Sequence, residues 1–190
     1  MATSLSCRFL ALSGALLACA VAAPARASLL PPADFDPDGR LIGLGLGYGG
    51  GVSLDWGIGK GLMVGVSAAR LVAPAGNRLD ARILYQFVSG NGKGLSISGI
   101  LGLWADTGFA GSPFPFLPPV EGGFGLAYPV MPRLNARLNL VVPLFAPQRA
   151  FDVFGGPAAG LEVGYAFRPG MEATLGLNGQ GNLLGLRLGF

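Results

Sequence analysis
From residue 41 to the end of the chain, apolar residues recur at every second position. Ile42, Leu44, Leu46 and Tyr48 alternate with Gly43, Gly45 and Gly47, and Val52, Leu54, Trp56 and Ile58 with Ser53, Asp55 and Gly57. The same period runs through Ile83, Tyr85 and Phe87, through Phe124, Leu126 and Tyr128, and through Leu161, Val163, Tyr165 and Phe167. It closes the chain with Leu184, Leu186, Leu188 and Phe190 around Gly185, Arg187 and Gly189. A period of two marks β-strands with one apolar and one polar face, where an amphipathic helix would repeat every 3.6 residues. Ten strands are predicted, near 41–48, 51–58, 61–70, 80–88, 95–106, 120–128, 134–143, 158–167, 170–177 and 182–190, with eight as the alternative count. The segment 95–106 fits least well, because Ile100 and Trp104 break the alternation.

The connections alternate too. Those at 59–61, 89–94, 129–133 and 168–169 are short and rich in Gly, Pro or Asn, whereas those at 71–79, 107–119 and 144–157 are long. Short turns at one end and long loops at the other are the asymmetry of an outer-membrane barrel, periplasmic and extracellular respectively. The expected fold is an all-β, up-and-down antiparallel transmembrane β-barrel over 41–190, with both ends of the barrel chain on the short-turn side.

Alternation alone also fits a soluble barrel with its apolar face inside. Composition separates the two. Only 12% of the 190 residues are charged, 51% are hydrophobic by type, 33 are Gly, and mean hydropathy is +0.55. The polar faces carry mostly Gly, Ala, Ser and Asn, whereas a water-facing sheet would be studded with Lys and Glu. Turned outward, the Leu, Val, Ile and aromatic faces suit lipid, and the small residues suit a narrow lumen. Asp55, Arg82, Glu121, Arg137, Glu162, Glu172 and Arg187 all fall on the non-apolar phase and are expected to be lumen charges. An Arg facing lipid at mid-bilayer costs about 2–4 kcal/mol, which explains this phasing. If Gly179-Gln180 forms the last two-residue turn, Asn178 opposes Gly181 and Glu172 opposes Arg187. Such a pair fixes register, or the two charges are simply solvated in a wet pore; both readings stay open. The aromatics Tyr48, Trp56, Tyr85, Phe87, Tyr128, Tyr165, Phe167 and Phe190 fall near strand ends or on lipid faces, as interfacial girdles do.

Residues 1–27 have the three-part plan of a secretory signal peptide: Arg8, an apolar stretch over 9–23, and Ala25-Arg26-Ala27 before the cleavage point. Leu16-Leu17-Ala18-Cys19 offers an alternative, because it resembles a bacterial lipobox in which Cys19 is lipidated. Both cysteines, Cys7 and Cys19, precede residue 28, so a chain cleaved after Ala27 has no thiol. Residues 28–40, with Pro31-Pro32 and Asp34, Asp36 and Asp38, read as a short periplasmic lead, with a partial lumen plug as the alternative. This acidic stretch lacks the ligands of an EF-hand.

At the other end, Leu183-Leu184-Gly185-Leu186-Arg187-Leu188-Gly189-Phe190 resembles the C-terminal signal of outer-membrane proteins. Gly185, Leu188 and Phe190 match that pattern, while Leu183 stands where a polar residue is usual. Over 41–190 the chain resembles small Gram-negative outer-membrane β-barrel proteins as a class. That resemblance implies outer-membrane localisation, a lipid surround and recognition of the last strand by the barrel assembly machinery.

Chemistry is sparse. The chain has no His, which removes Ser-His-Asp triads, Cys-His pairs and His-ligated metals. Gly45-Leu46-Gly47-Tyr48-Gly49-Gly50 spells a dinucleotide fingerprint but is followed by strand, not helix. No basic cluster marks nucleic acid; the net charge is +3. No cofactor, metal or enzymatic activity is expected. The expected role is structural or that of a narrow, porin-like passive pore. The alternatives are surface recognition through the loops and a lipidated envelope protein. In the loop 111–119, Phe114, Phe116 and Leu117 are candidate contacts to lipopolysaccharide, to another membrane protein, or to the barrel mouth itself.

Overall fold
The computed structural model of the chain describes residues 29–47, 49–72, 75–107, 120–145, 158–178 and 182–190. They form ten strands: β1 (Arg40–Gly47), β2 (Gly49–Gly59), β3 (Leu62–Val72), β4 (Ala75–Val88), β5 (Ser96–Thr107), β6 (Val120–Met131), β7 (Leu134–Phe145), β8 (Gly160–Arg168), β9 (Met171–Asn178) and β10 (Asn182–Gly189). Each strand pairs antiparallel with its neighbours in sequence, and β10 returns to β1 to close the barrel. Closure leaves no strand edge unpaired. At the seam Ile42 faces Leu188, Leu44 faces Leu186 and Gly45 faces Gly185. The seam runs on to the last residue, where Arg40 and Phe190 exchange two backbone hydrogen bonds of 3.0 Å.

The alternation sets which way each side chain points. On β4, Arg78, Asp80, Arg82 and Leu84 are buried while Leu79, Ile83, Tyr85 and Phe87 are exposed. On β9, Glu172 and Thr174 are buried while Leu175 is 63% exposed. The wall is therefore inverted relative to a water-soluble barrel, with its large apolar side chains outside. Trp56, Tyr85, Phe87, Tyr128, Tyr165, Phe167 and Phe190 are all exposed at the short-turn end. Tyr85 and Phe87 meet edge to face at 5.0 Å. Tyr48 lies outside the described residues.

Two sequence expectations change. The long loop expected over 71–79 is largely strand, since β3 runs to Val72 and β4 starts at Ala75. Pro74, Gly76 and Asn77 disguise the alternation there, but Leu79 points out and Arg78 points in. Ile100 and Trp104 do not break the pattern of β5. They continue the inward face of Ser96, Ser98 and Gly102, and are simply apolar residues inside. Ile100 belongs to an internal apolar cluster with Met63, Leu84 and Val141, so the lumen is not lined by small and polar residues alone.

That cluster also includes Phe35, from the segment before β1. The stretch before β1 does not hang outside as a lead. Leu29, Leu30, Pro31, Pro32, Ala33 and Phe35 are buried, and their hydrogen-bond partners lie on β4, β5, β7 and β10. The segment turns at the short-turn rim, where Gly39 N donates to Asp36 O and Gly59 N donates to Pro37 O. It then runs up inside the barrel as a plug.

Closure at the seam is testable by cross-linking. Ile42→Cys with Leu188→Cys is expected to form a disulfide on mild oxidation, detected as a linked peptide by mass spectrometry. Ile42→Cys with Leu184→Cys, four positions out of register, is expected to stay reduced in the folded protein.

Candidate functional site: a charged lumen and its plug
An extended chain inside a barrel brings carbonyls and N–H groups that cannot reach bulk water, and each must find a partner. Pro31 and Pro32 lessen that demand by having no N–H. The carbonyls are answered from the wall. Arg82 Nη1 donates to Leu29 O at 3.2 Å, Arg187 Nη2 to Leu30 O at 2.6 Å, and Asn139 Nδ2 to Pro31 O at 3.0 Å. Ser98 Oγ donates to Ala33 O at 2.7 Å, and Gln86 Nε2 to Asp34 Oδ1 at 3.2 Å. Five strand positions on four different strands thus hold one short segment.

The seven expected lumen charges are all buried in the interior, and they fall into two groups. Near the plug's start, Arg82 forks onto Asp55, with Nη2 at 2.8 and 3.0 Å from the two carboxylate oxygens. The two residues are not on adjacent strands. Gly65 of β3 lies between them in register, and a Cβ there would strike Asp55 Oδ1 and come within 2.9 Å of Arg82 Nε. Gly102 plays the same part between Arg82 and Glu121. Interior glycines therefore form the floor across which charged side chains reach one another.

The second group is a quartet. Glu172 stands opposite Arg187 in register, as the hairpin arithmetic places it. Its short bonds nevertheless go to Arg137, at 2.7 and 2.8 Å, while Arg187 Nη1 is 3.7 Å away. Arg187 instead donates to Glu162 at 2.9 Å, and Arg137 donates to Glu162 at 3.0 Å. Two guanidinium groups and two carboxylates alternate in a closed ring, with Gly164 leaving room for the Arg137–Glu172 contact. A cavity of about 280 Å³ opens beside the ring at the short-turn end, lined by Phe35, Tyr128, Asn135, Arg137, Glu172 and Arg187 among others.

Two interior charges escaped the sequence reading. Asp80 accepts from Arg82 Nη1 and Ser67 Oγ, both at 3.1 Å. Arg78 is buried with its guanidinium 4.8 Å above the Trp104 ring. Arg78, Asp80 and Arg82 share one strand phase, a signal visible in the sequence; Arg78 falls in the stretch 71–79 that reads as a loop, and Asp80 is the first residue of the expected strand 80–88. Of the assembly-signal residues, Gly185 is buried on β10, Leu188 faces Ile42 across the seam and Phe190 is 70% exposed. The loop candidates Phe114, Phe116 and Leu117, and the turn Gly179-Gln180, lie outside the described residues.

Three short turns, the last residue of β8 and the first residue of β1 each carry one exposed cation: Lys60, Lys93, Arg133, Arg168 and Arg40. They ring the end that also bears the aromatic side chains. Among the described residues, no group of three or more acidic, Cys or His side chains is placed to hold a metal ion.

Breaking a buried ion pair by removing one partner costs about 3–5 kcal/mol, because the other charge is stranded. Arg137→Met is therefore expected to lower the stability of the folded barrel by about 3 kcal/mol in urea titration. Adding Glu172→Gln to Arg137→Met is expected to restore part of that loss; an additive loss would show that the ring is not coupled.

In comparisons with known proteins, no family model, no curated protein and no solved structure matches this chain.

Proposed function
We propose that this is an integral outer-membrane β-barrel protein whose lumen is closed by its own N-terminal segment, with a structural rather than a conducting role. The observation that carries the membrane reading is the outward face. Leu175, Ile58, Phe87, Phe124, Leu140, Leu101 and Ile83 are all more than half exposed, on strands spread around the barrel. Apolar exposure of that kind far exceeds the patches of a few hundred Å² that water-soluble monomers tolerate. A closed antiparallel barrel is also one of the two structures that satisfy every backbone polar group within a bilayer. The exposed aromatic side chains at the short-turn end then lie at one interface, and the ring of Lys and Arg beyond them lies at the level of lipid phosphates.

The plug supports the closed state over the pore. At the level of Pro31 and Pro32 the interior is occupied by a buried peptide held by side chains of both charge groups. No Ser or Cys nucleophile with a His base stands in the lumen, and a non-enzymatic role accounts for the residues present. Surface recognition through the loops remains the second reading on sequence grounds, because the proline-stiffened apolar run 111–119 needs a partner or a packing surface.

Planar-bilayer recording tests the closed state. The intact protein is expected to show no discrete conductance steps, whereas a variant lacking residues 29–35 is expected to show them. Equal conductance from both would contradict the plug; no conductance from either would leave the wall charges alone closing the lumen.

A further inference from the structure
Near the mouth of the barrel the plug leans to one side. From Ala33 to Gly39 its hydrogen bonds with the wall go, among the described residues, to β2, β4 and β5. Ser98 Oγ and Gln86 Nε2 donate to Ala33 O at 2.7 and 3.4 Å, and Gln86 Nε2 donates to Asp34 Oδ1 at 3.2 Å. Gly59 N donates to Pro37 O at 2.9 Å and Gly57 N to Gly39 O at 2.8 Å. The cavity of about 280 Å³ is the space on the other side, between the plug and the inner faces of β6 to β10. Its floor is the charge quartet: Arg137, Glu172 and Arg187 line it, and each is less than a tenth exposed. The volume is that of roughly nine water molecules in the liquid, room for an amino acid and little more.

The charges around this chamber are divided between its walls. Asp34 and Asp36 line it from the plug, and Arg168, at the end of β8, lines it from the barrel. Among the described residues none of these three forms an ion pair, so opposite charges face one another across the cavity without meeting. Asp34 accepts only from the Gln86 amide, and Asp36 accepts through its carboxylate only from the N–H of Asp38. At the floor Glu172 is already held by Arg137 at 2.7 and 2.8 Å, whereas Arg137 Nε and Arg187 Nη1 have no hydrogen-bond partner. The barrel side of the chamber is thus rich in donors and the plug side in acceptors. A simple anion here would face the two plug aspartates, and a simple cation would face Arg168 above two guanidinium groups. A molecule with an ammonium at one end and a carboxylate at the other complements both walls. Phe35, Leu41, Ala127, Ala166 and Met171 supply apolar lining for an aliphatic side chain. We propose that the chamber beside the plug binds a small aliphatic zwitterion of amino-acid size. Its ammonium lies toward Asp34 and Asp36 and its carboxylate toward Arg168, so the bound molecule bridges the plug and β8. This goes beyond the outer-membrane reading and does not depend on it, because the chamber lies inside the barrel.

The test blocks one end of the ligand at a time. The folded protein, isolated in detergent, is titrated calorimetrically with L-leucine, with L-leucinamide, which lacks the carboxylate, and with N-acetyl-L-leucine, which lacks the ammonium. L-Leucine is expected to bind at one site per chain. Each blocked analogue is expected to bind about tenfold more weakly, the scale of a charge-assisted hydrogen bond lost at one end. Two variants then assign the ends. Arg168→Gln is expected to bind L-leucine and L-leucinamide equally, whereas Asp34→Asn combined with Asp36→Asn is expected to bind L-leucine and N-acetyl-L-leucine equally. Arg168 and Asp36 are exposed, and asparagine at position 34 keeps an oxygen for the Gln86 amide, so both variants are expected to give the fast-migrating folded band. The comparison of three probes on the natural protein stands without them. No binding of L-leucine, or equal binding of all three probes, overturns the proposal. So does a folded variant that keeps the full preference for L-leucine over the analogue it should no longer distinguish. The membrane fraction from which the protein is recovered tests the outer-membrane reading separately, since the titration depends only on a folded, plugged barrel.

Discussion
The interior of this barrel is organised around the carbonyls of Leu29, Leu30, Pro31 and Ala33, each held by a side chain of the wall. Arg82, Arg187, Asn139 and Ser98 come from four strands and converge on five residues of peptide. A peptide can lie in a protein interior only if its polar groups are satisfied, and Pro31-Pro32 lowers the number that must be. The charge groups follow from the same requirement. Arg82 and Arg187 serve the plug with one N–H and carboxylates with the others, so plug and ion pairs are one network. Phe35 adds the apolar half, seated against Met63, Leu84, Ile100 and Val141.

The glycines acquire a role from this geometry. Their abundance first suggests only a narrow lumen. Gly65 and Gly102 sit between charged residues in register, and Gly164 leaves room for the Arg137–Glu172 contact, so that a charge on one strand meets a partner two strands away. That arrangement ties three strands together with one contact, where a cross-strand pair ties two. Ion pairs in an interior add little stability over an apolar packing of the same shape. What they contribute here is register: sliding β4 by one residue would turn Arg82 outward and strand Asp55.

Much of the wall was legible because period-two alternation is a local signal. It located all ten strands and their antiparallel order, and hairpin counting placed Glu172 opposite Arg187. It failed where composition masks the phase, as with Pro74, Gly76 and Asn77 ahead of Arg78, and where an apolar residue faces inward, as with Ile100 and Trp104. The true partners of the charges were not legible. Arg137 and Glu172 are not neighbours in register, and only a three-dimensional path over Gly164 brings them together. The plug was the least visible feature. Leu30 and Arg187 are 157 positions apart, and a Pro-Pro segment with three aspartates has the composition of a linker wherever it lies.

The central claim is that the apolar outer face is a lipid face. Cell fractionation followed by gel mobility with and without heating tests it most directly. The account predicts a protein confined to the outer-membrane fraction, resistant to carbonate extraction, that migrates faster unheated than boiled. A protein recovered in the soluble fraction, with mobility unchanged by heating, would contradict it.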